Sequence, residues 1–294
     1  MRRNRGATGY FHTQAQRLAG QRRSAASSGP PKLTPVLRDL VRTLLLLQWS
    51  PEQIAGRLEL SGVVRVSFSW IYKKIHQDRA RGGKLFVFLR QRGRKRRLKP
   101  AAGSAGRGCI PQRADISERP GIVEDKQRVG DWEGNTIIGK GHQGAAVTLV
   151  DRVSKYLVLQ PVARKTAKLV SDAVTRLLTP FQTLVLTLTF DNGMEFAGHR
   201  DMARTLAAEV YFARPCRSCE RGLSEHTNGL VRQYVGKSEK LLEVDPERLR
   251  HAADLINHRP CKALQFRTPH EVFSAACRAA GIPPPPACPP LCPV

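Results

Sequence analysis

Carboxylates that could converge on a divalent cation are the first chemistry this sequence offers. Three stretches supply them: Gly130-Asp-Trp-Glu-Gly134, Thr189-Phe-Asp-Asn-Gly193 and Glu220-Arg-Gly-Leu-Ser-Glu225. Phosphoryl transfer on DNA without a covalent intermediate uses two divalent metal ions, roughly 3.5–4 Å apart. One activates the attacking oxygen and the other stabilises the leaving one. Hard cations take oxygen ligands, and here these must come from separate elements. Asp191 closes an apolar run and precedes an Asn-Gly turn, which places it at the end of a buried strand. Glu225 falls on an expected helix, and Arg232, two turns further along, returns to the same face. The bland alternative is that both acids are ordinary surface residues. Cys216-Arg-Ser-Cys219 has zinc-like spacing, but no second pair stands at a finger-like distance. An odd count of seven cysteines in a long chain reads as free thiols.

The elements that must position these residues follow from periodicity. Asp131–Ile138, Ala145–Val150 and Tyr156–Val162 read as three strands of an antiparallel meander. A helix over Thr166–Leu178, a strand over Thr183–Phe190, a helix over Glu195–Ala207 and a strand over Val210–Ala213 come next. Helices are expected near Ser224–Tyr234, Asp245–Ile256 and Pro269–Ala280. A meander followed by alternating helices and strands fits an α/β domain of the ribonuclease-H-like kind.

Charge sets the front of the chain apart. Of the formal net charge of +25, +20 falls on residues 1–110, where 24 Lys and Arg face 4 Asp and Glu. That exceeds what solubility needs and points to a polyanion, with DNA or RNA favoured over a membrane. Leu37–Leu47 has helical spacing, and Ser50-Pro-Glu-Gln53 reads as a capping box with Pro at the first helical position. A helix through Leu58, a break at Ser61-Gly62 and a further helix from Ser67 suggest a helix-turn-helix. An ordinary three-helix bundle is the alternative. In the DNA reading Ser67, Ser69, Lys73 and Lys74 face the major groove, while Trp70, Ile71 and Ile75 pack inward. Arg90 to Lys99, with Arg90, Arg92, Arg94, Lys95, Arg96 and Arg97, forms a phosphate-contacting arm ahead of a flexible linker. No apolar run or signal segment suggests a membrane or secretion, so the expected location is the cytoplasm, on the nucleoid.

Residues 110–273 closely resemble transposases of insertion-sequence family thirty, in the retroviral-integrase-like D-D-E superfamily. The matching stretches include Gly130-Asp-Trp-Glu-Gly134, Thr136-Ile-Ile-Gly-Lys-Gly141, Thr189-Phe-Asp-Asn-Gly193, Glu220-Arg-Gly222, Thr227-Asn-Gly229, Asn257-His-Arg-Pro260 and Arg267-Thr-Pro269. The 33 residues between Asp191 and Glu225 are the family's spacing. The resemblance implies an integrase-like catalytic core with two Mg²⁺ (or Mn²⁺) ions. It also implies double-stranded DNA partners (element terminal repeats and target) and assembly as a homo-oligomer. Asp191 and Glu225 match the second and third catalytic positions, with Arg232 as a DNA contact. The first, three residues after Trp132, is Asn135 where the family has Asp. Strand alternation puts Glu133 on the same face, making it the alternative metal ligand.

The organisation implied is a basic N-terminal remnant (1–30), a helix-turn-helix region (31–80), a basic arm and linker (81–110), the catalytic core (111–280) and a proline-rich tail (281–294). Met1 opens inside the stretch that follows the family's first helix-turn-helix, so N-terminal truncation is expected. Further departures are Arg214 for the usual His, Cys216 and Cys219 for aromatic residues, and Ser224 and His226 for Asn on either side of Glu225. Three functions are weighed: a recombinase impaired by Asn135, a non-catalytic DNA-binding protein, and another ribonuclease-H-like nuclease.

Overall fold

The computed structural model describes residues 11–27, 34–90, 110–214 and 218–286. The chain divides into two compact units, residues 1–44 and 45–294. The first carries α1 (His12–Ser27) and all but the end of α2 (Pro35–Leu46).

The second unit begins with a helix pair. In α3 (Pro51–Leu60) the expected capping box is present: the Gln53 amide N–H donates to Ser50 Oγ at 3.2 Å and the Ser50 amide to Gln53 Oε1 at 2.8 Å. After the break comes α4 (Phe68–Ala80), capped by Ser67. Ile54 and Leu58 of α3 and Ile71 and Ile75 of α4 are buried, so apolar faces hold the pair together. This pair is tied to the end of the chain. Arg57 makes a two-pronged ion pair with Glu271 (2.6 and 3.0 Å), and Gly56 leaves room for the Phe266 ring. Glu271 also closes the capping box of α10 (Pro269–Ala279).

The sheet has six strands: β1 (Ala114–Asp115), β2 (Asp131–Ile138), β3 (Ala145–Asp151), β4 (Leu157–Val162), β5 (Thr187–Phe190) and β6 (Glu209–Phe212), in the order β1-β6-β5-β2-β3-β4. β2, β3 and β4 form the expected antiparallel meander, and β5, β6 and β1 add in parallel beside β2. Helices cover both faces, α6 (Ala167–Leu178), α7 (His199–Leu206) and α10 on one and α8 (Gly222–Tyr234) and α9 (Pro246–Asn257) on the other. This is the ribonuclease-H-like α/β architecture.

Alternation along β2 decides what each face receives. Trp132 is fully buried in the core under α6, α7 and α10, meeting Phe273 edge-on at 5.6 Å. Gly134 points the same way, where a Cβ would lie 2.2 Å from Phe190, so this position needs a glycine. Glu133, Asn135 and Ile137 point the other way, and Ile137 joins the core under α8 and α9. Two expected boundaries move. Thr179–Leu184 winds as a 3₁₀ helix around Pro180, so β5 starts only at Thr187. The helix expected from Glu195 is broken near Gly198 into a 3₁₀ turn and α7. The short β1 and α5 (Gly121–Glu124) carry too few residues to show a period.

Candidate active site

Register brings the candidate residues to one place. Glu133 pairs with Thr189 across the parallel β2–β5 ladder. The ladder ends there; Asn135 lies two residues further along β2, and Asp191 two residues beyond Thr189, just past the end of β5. On the other side of β2, Asn135 pairs with Thr148 of β3, so both side chains share the face covered by α8. Thr148 Oγ1 lies 2.8 Å from Asn228 Oδ1 of α8 and 3.2 Å from the Asn135 carbonyl oxygen. Glu225 precedes Asn228 by three residues on the same side of α8 and is exposed. Positions 135, 191 and 225 are thus carried by neighbouring elements: β2, the turn after β5 and the first turn of α8.

Their partners differ. The Asp191 side chain is 41% exposed; its Oδ1 accepts the Gly193 amide at 3.0 Å, and its Oδ2 lies 3.4 Å from Arg221 Nη1. Asn192 holds this turn by donating to the Ala213 carbonyl. Asn135 Oδ1 accepts from the Thr136 amide at 2.8 Å. Among the described residues no group of three or more His, Cys, Asp or Glu is placed to hold a metal ion. The expected ligand positions offer two carboxylates, Asp191 and Glu225, and one amide oxygen, that of Asn135.

Two expected roles change. Glu133 does not point into open space as a spare ligand. It is buried, with Oε1 accepting from Arg152 Nη1 at 2.8 Å and Oε2 from the Ser224 amide at 3.0 Å. Arg232 donates from Nη2 to the Ile138 carbonyl at 2.6 Å and from Nη1 to the Gly236 carbonyl at 3.2 Å. Both terminal nitrogens tie the end of α8 to the end of β2, so this guanidinium, expected to contact DNA, braces the two elements in the structure. Asp131 pairs with Arg128 and accepts from Thr187 Oγ1 at 2.8 Å.

A buried charge network underlies the site. Arg152 also reaches Glu124, and Arg119 bridges Glu124 to Thr189 Oγ1. Burial alone would raise the Glu124 carboxyl, but Arg119 and then Arg152 outweigh it and hold it below the usual carboxylate range. Beside Glu225, the His226 imidazole is pushed down by burial and then by Arg90 and Arg259. Arg90 Nη2 lies over Gly229 of α8, so the basic arm starts one turn from Glu225. Arg92, Arg94, Lys95, Arg96 and Arg97 lie outside the described residues, as do Cys216 and the end of the tail. On α4, Ser69, Lys73 and Lys74 are exposed as expected, while Ser67 Oγ accepts the Ser69 amide as the helix cap. Phe68 and Tyr72 join that exposed face and were not anticipated, because exposed aromatics on an amphipathic helix read as core. Arg221 and Arg152 were missed as well. Each sits in a quoted motif or turn, but only long-range pairing shows what it touches.

A ribonuclease-H-like sheet with two acids at this junction and a basic helix pair in front defines the integrase-like class of proteins. The comparisons narrow it. No family model matches the chain. It is 43% identical over 264 residues to the transposase for insertion sequence element IS4351 of Bacteroides fragilis, covering 90% of this chain and 80% of that protein. It is 35% identical to the IS1086 transposase of Cupriavidus metallidurans (93% and 83% covered) and 33% identical to transposase InsI for IS30A of Escherichia coli (93% and 73%). The catalytic core domain of BIV integrase aligns with 52% of this chain and 99% of its own at 18% identity, with a TM-score of 0.43. The chain belongs to the family of insertion-sequence transposases that includes those of IS4351, IS1086 and IS30. No helix of the described residues is long and apolar enough to cross a membrane.

Proposed function

We propose that this chain is a DNA-binding transposase of the D-D-E kind whose catalytic centre is impaired by Asn135. The observation that supports this is the position of Asn135: it pairs with Thr148 on the β2 face covered by α8, two residues past the Glu133–Thr189 pair of the ladder that leads to Asp191, and among the described residues no group of three acids, His or Cys could hold a metal ion. Asp191 and Glu225 are the residues that would hold Mg²⁺ or Mn²⁺. Bound there, such cations would activate a water or a DNA 3′-hydroxyl and stabilise the leaving oxygen. Asn135 could add only a neutral carbonyl oxygen, one that already accepts the Thr136 amide. One lost anionic ligand corresponds to a rate loss on the order of 10³ or more, about 4 kcal/mol in the barrier.

The residues that would hold DNA are separate from this defect. The exposed face of α4, with Ser69, Lys73 and Lys74, would enter the major groove, and Phe68 and Tyr72 would offer apolar contact to thymine methyl groups. The terminal repeats of an insertion sequence and a double-stranded target are the proposed ligands, met by a homo-oligomer. The native chain should shift duplexes carrying element ends in a gel, yet give no strand-transfer product with Mn²⁺. Product that disappears on Asp191→Ala would overturn the impaired reading.

A further inference from the structure

We propose that Glu133 is a positioning residue: its buried carboxylate joins Arg152 to the first turn of α8 and so fixes where Glu225 stands relative to residues 135 and 191. This rests on the reading of those three positions as the reactive site. The argument starts from the start of α8. Its N-cap is Arg221, whose side chain makes no capping hydrogen bond. A helix leaves its first amide N–H groups without intrahelical partners. The Ser224 amide finds its acceptor 91 residues away, in Glu133 Oε2 at 3.0 Å. A carboxylate at this end is also favoured by the helix dipole. β2 therefore supplies the cap that the α8 sequence lacks.

The other oxygen shows why the carboxylate stays in place. Arg152 Nη1 donates to Glu133 Oε1 at 2.8 Å, and the two side chains are 4% and 3% exposed. Drawing Glu133 toward a cation would take from a buried guanidinium its one buried acidic partner and leave it only the exposed Glu124. Arg152 continues through Glu124 and Arg119 to Thr189, two residues before Asp191. One chain of charged contacts thus links β2, β5 and α8, the three elements that carry positions 135, 191 and 225.

The test uses the full chain carrying Asn135→Asp, with Glu133→Ala, Ser224→Pro or Ser224→Ala added. Proline lacks only an N–H that the first helical turn does not need for itself, and the alanine variant controls for the hydroxyl. Hydrogen exchange of the backbone amides at 222, 223, 225 and 226 should quicken at least about tenfold in Glu133→Ala and Ser224→Pro relative to Ser224→Ala. Mn²⁺ affinity, read by electron paramagnetic resonance without DNA, should fall by about 10–100-fold in the same two variants. Unchanged exchange would overturn the proposal. So would an Mn²⁺ loss in Glu133→Ala that Ser224→Pro does not share, since a ligand would not need the Ser224 amide. If Asn135→Asp binds no Mn²⁺ at all, the metal reading of the site fails and exchange alone decides the clamp.

Discussion

Asn135 has the shape of an aspartate without its charge, and its Oδ1 accepts the Thr136 amide. Its backbone is fixed on one side by the β2–β3 ladder, and the facing α8 is held through Thr148 and Asn228. A neutral amide there removes a ligand without disturbing the scaffold. Arg232 shows the reverse case, a charged residue whose function is to brace. Because its terminal nitrogens serve backbone carbonyls at the ends of β2 and α8, Arg232→Ala should lower stability by about 1–3 kcal/mol. The slope of DNA affinity against salt should stay as in the native chain, since no phosphate contact is removed. Denaturant unfolding and a salt titration by gel shift check the two halves, and a slope reduced by about one unit would restore Arg232 to the DNA interface.

Elements here were legible wherever a period ran long enough to show. The α3 capping box, the β2–β3–β4 meander and the major helices follow directly from spacing and caps. What could not be read was made by contacts far apart in sequence, such as the Glu133 link to Ser224 and the Arg57 pair with Glu271. Gly56 belongs to this second kind. In an exposed helix Gly→Ala is stabilising by up to about 1 kcal/mol. In α3 the added Cβ would lie 2.3 Å from the Phe266 ring, so overpacking reverses the sign. Gly56→Ala should lower stability by about 1–3 kcal/mol, visible as a lower Tm; a raised Tm would mean that the α3 contact with Phe266 is absent in solution.

The His258–His270 stack gives an element-level pH dependence. The rings lie 4.5 Å apart, and burial and then His258 hold the His270 pKa below its ordinary value. The unfolded chain then takes up a proton that the folded chain refuses, so stability falls as pH drops through about 6.5. His270→Gln should show a smaller fall in Tm between pH 7 and pH 5 than the native chain. Asp151 and Asp254, shifted up chiefly by burial, act with the opposite sign but are common to both proteins. An equal fall in both would remove His270 from the account.

At the scale of the whole molecule, the sequence separates a basic front from a nearly balanced α/β body, and the structure couples them. Residues 51–80 share a compact unit with the sheet, and Arg90 reaches α8 beside the acidic junction. DNA held by the front would therefore lie close to Asp191 and Glu225. Family membership follows from similarity along most of the chain, whereas in the proposed reading the state of the centre turns on one side chain. Strand transfer of a labelled element end with Mn²⁺ should be compared for the native chain, Asn135→Asp, and Asn135→Asp combined with Asp191→Ala. A centre lacking only its first carboxylate requires a gain on the order of 10³ or more from Asn135→Asp, abolished by Asp191→Ala. No gain in a folded, DNA-binding Asn135→Asp protein would contradict it.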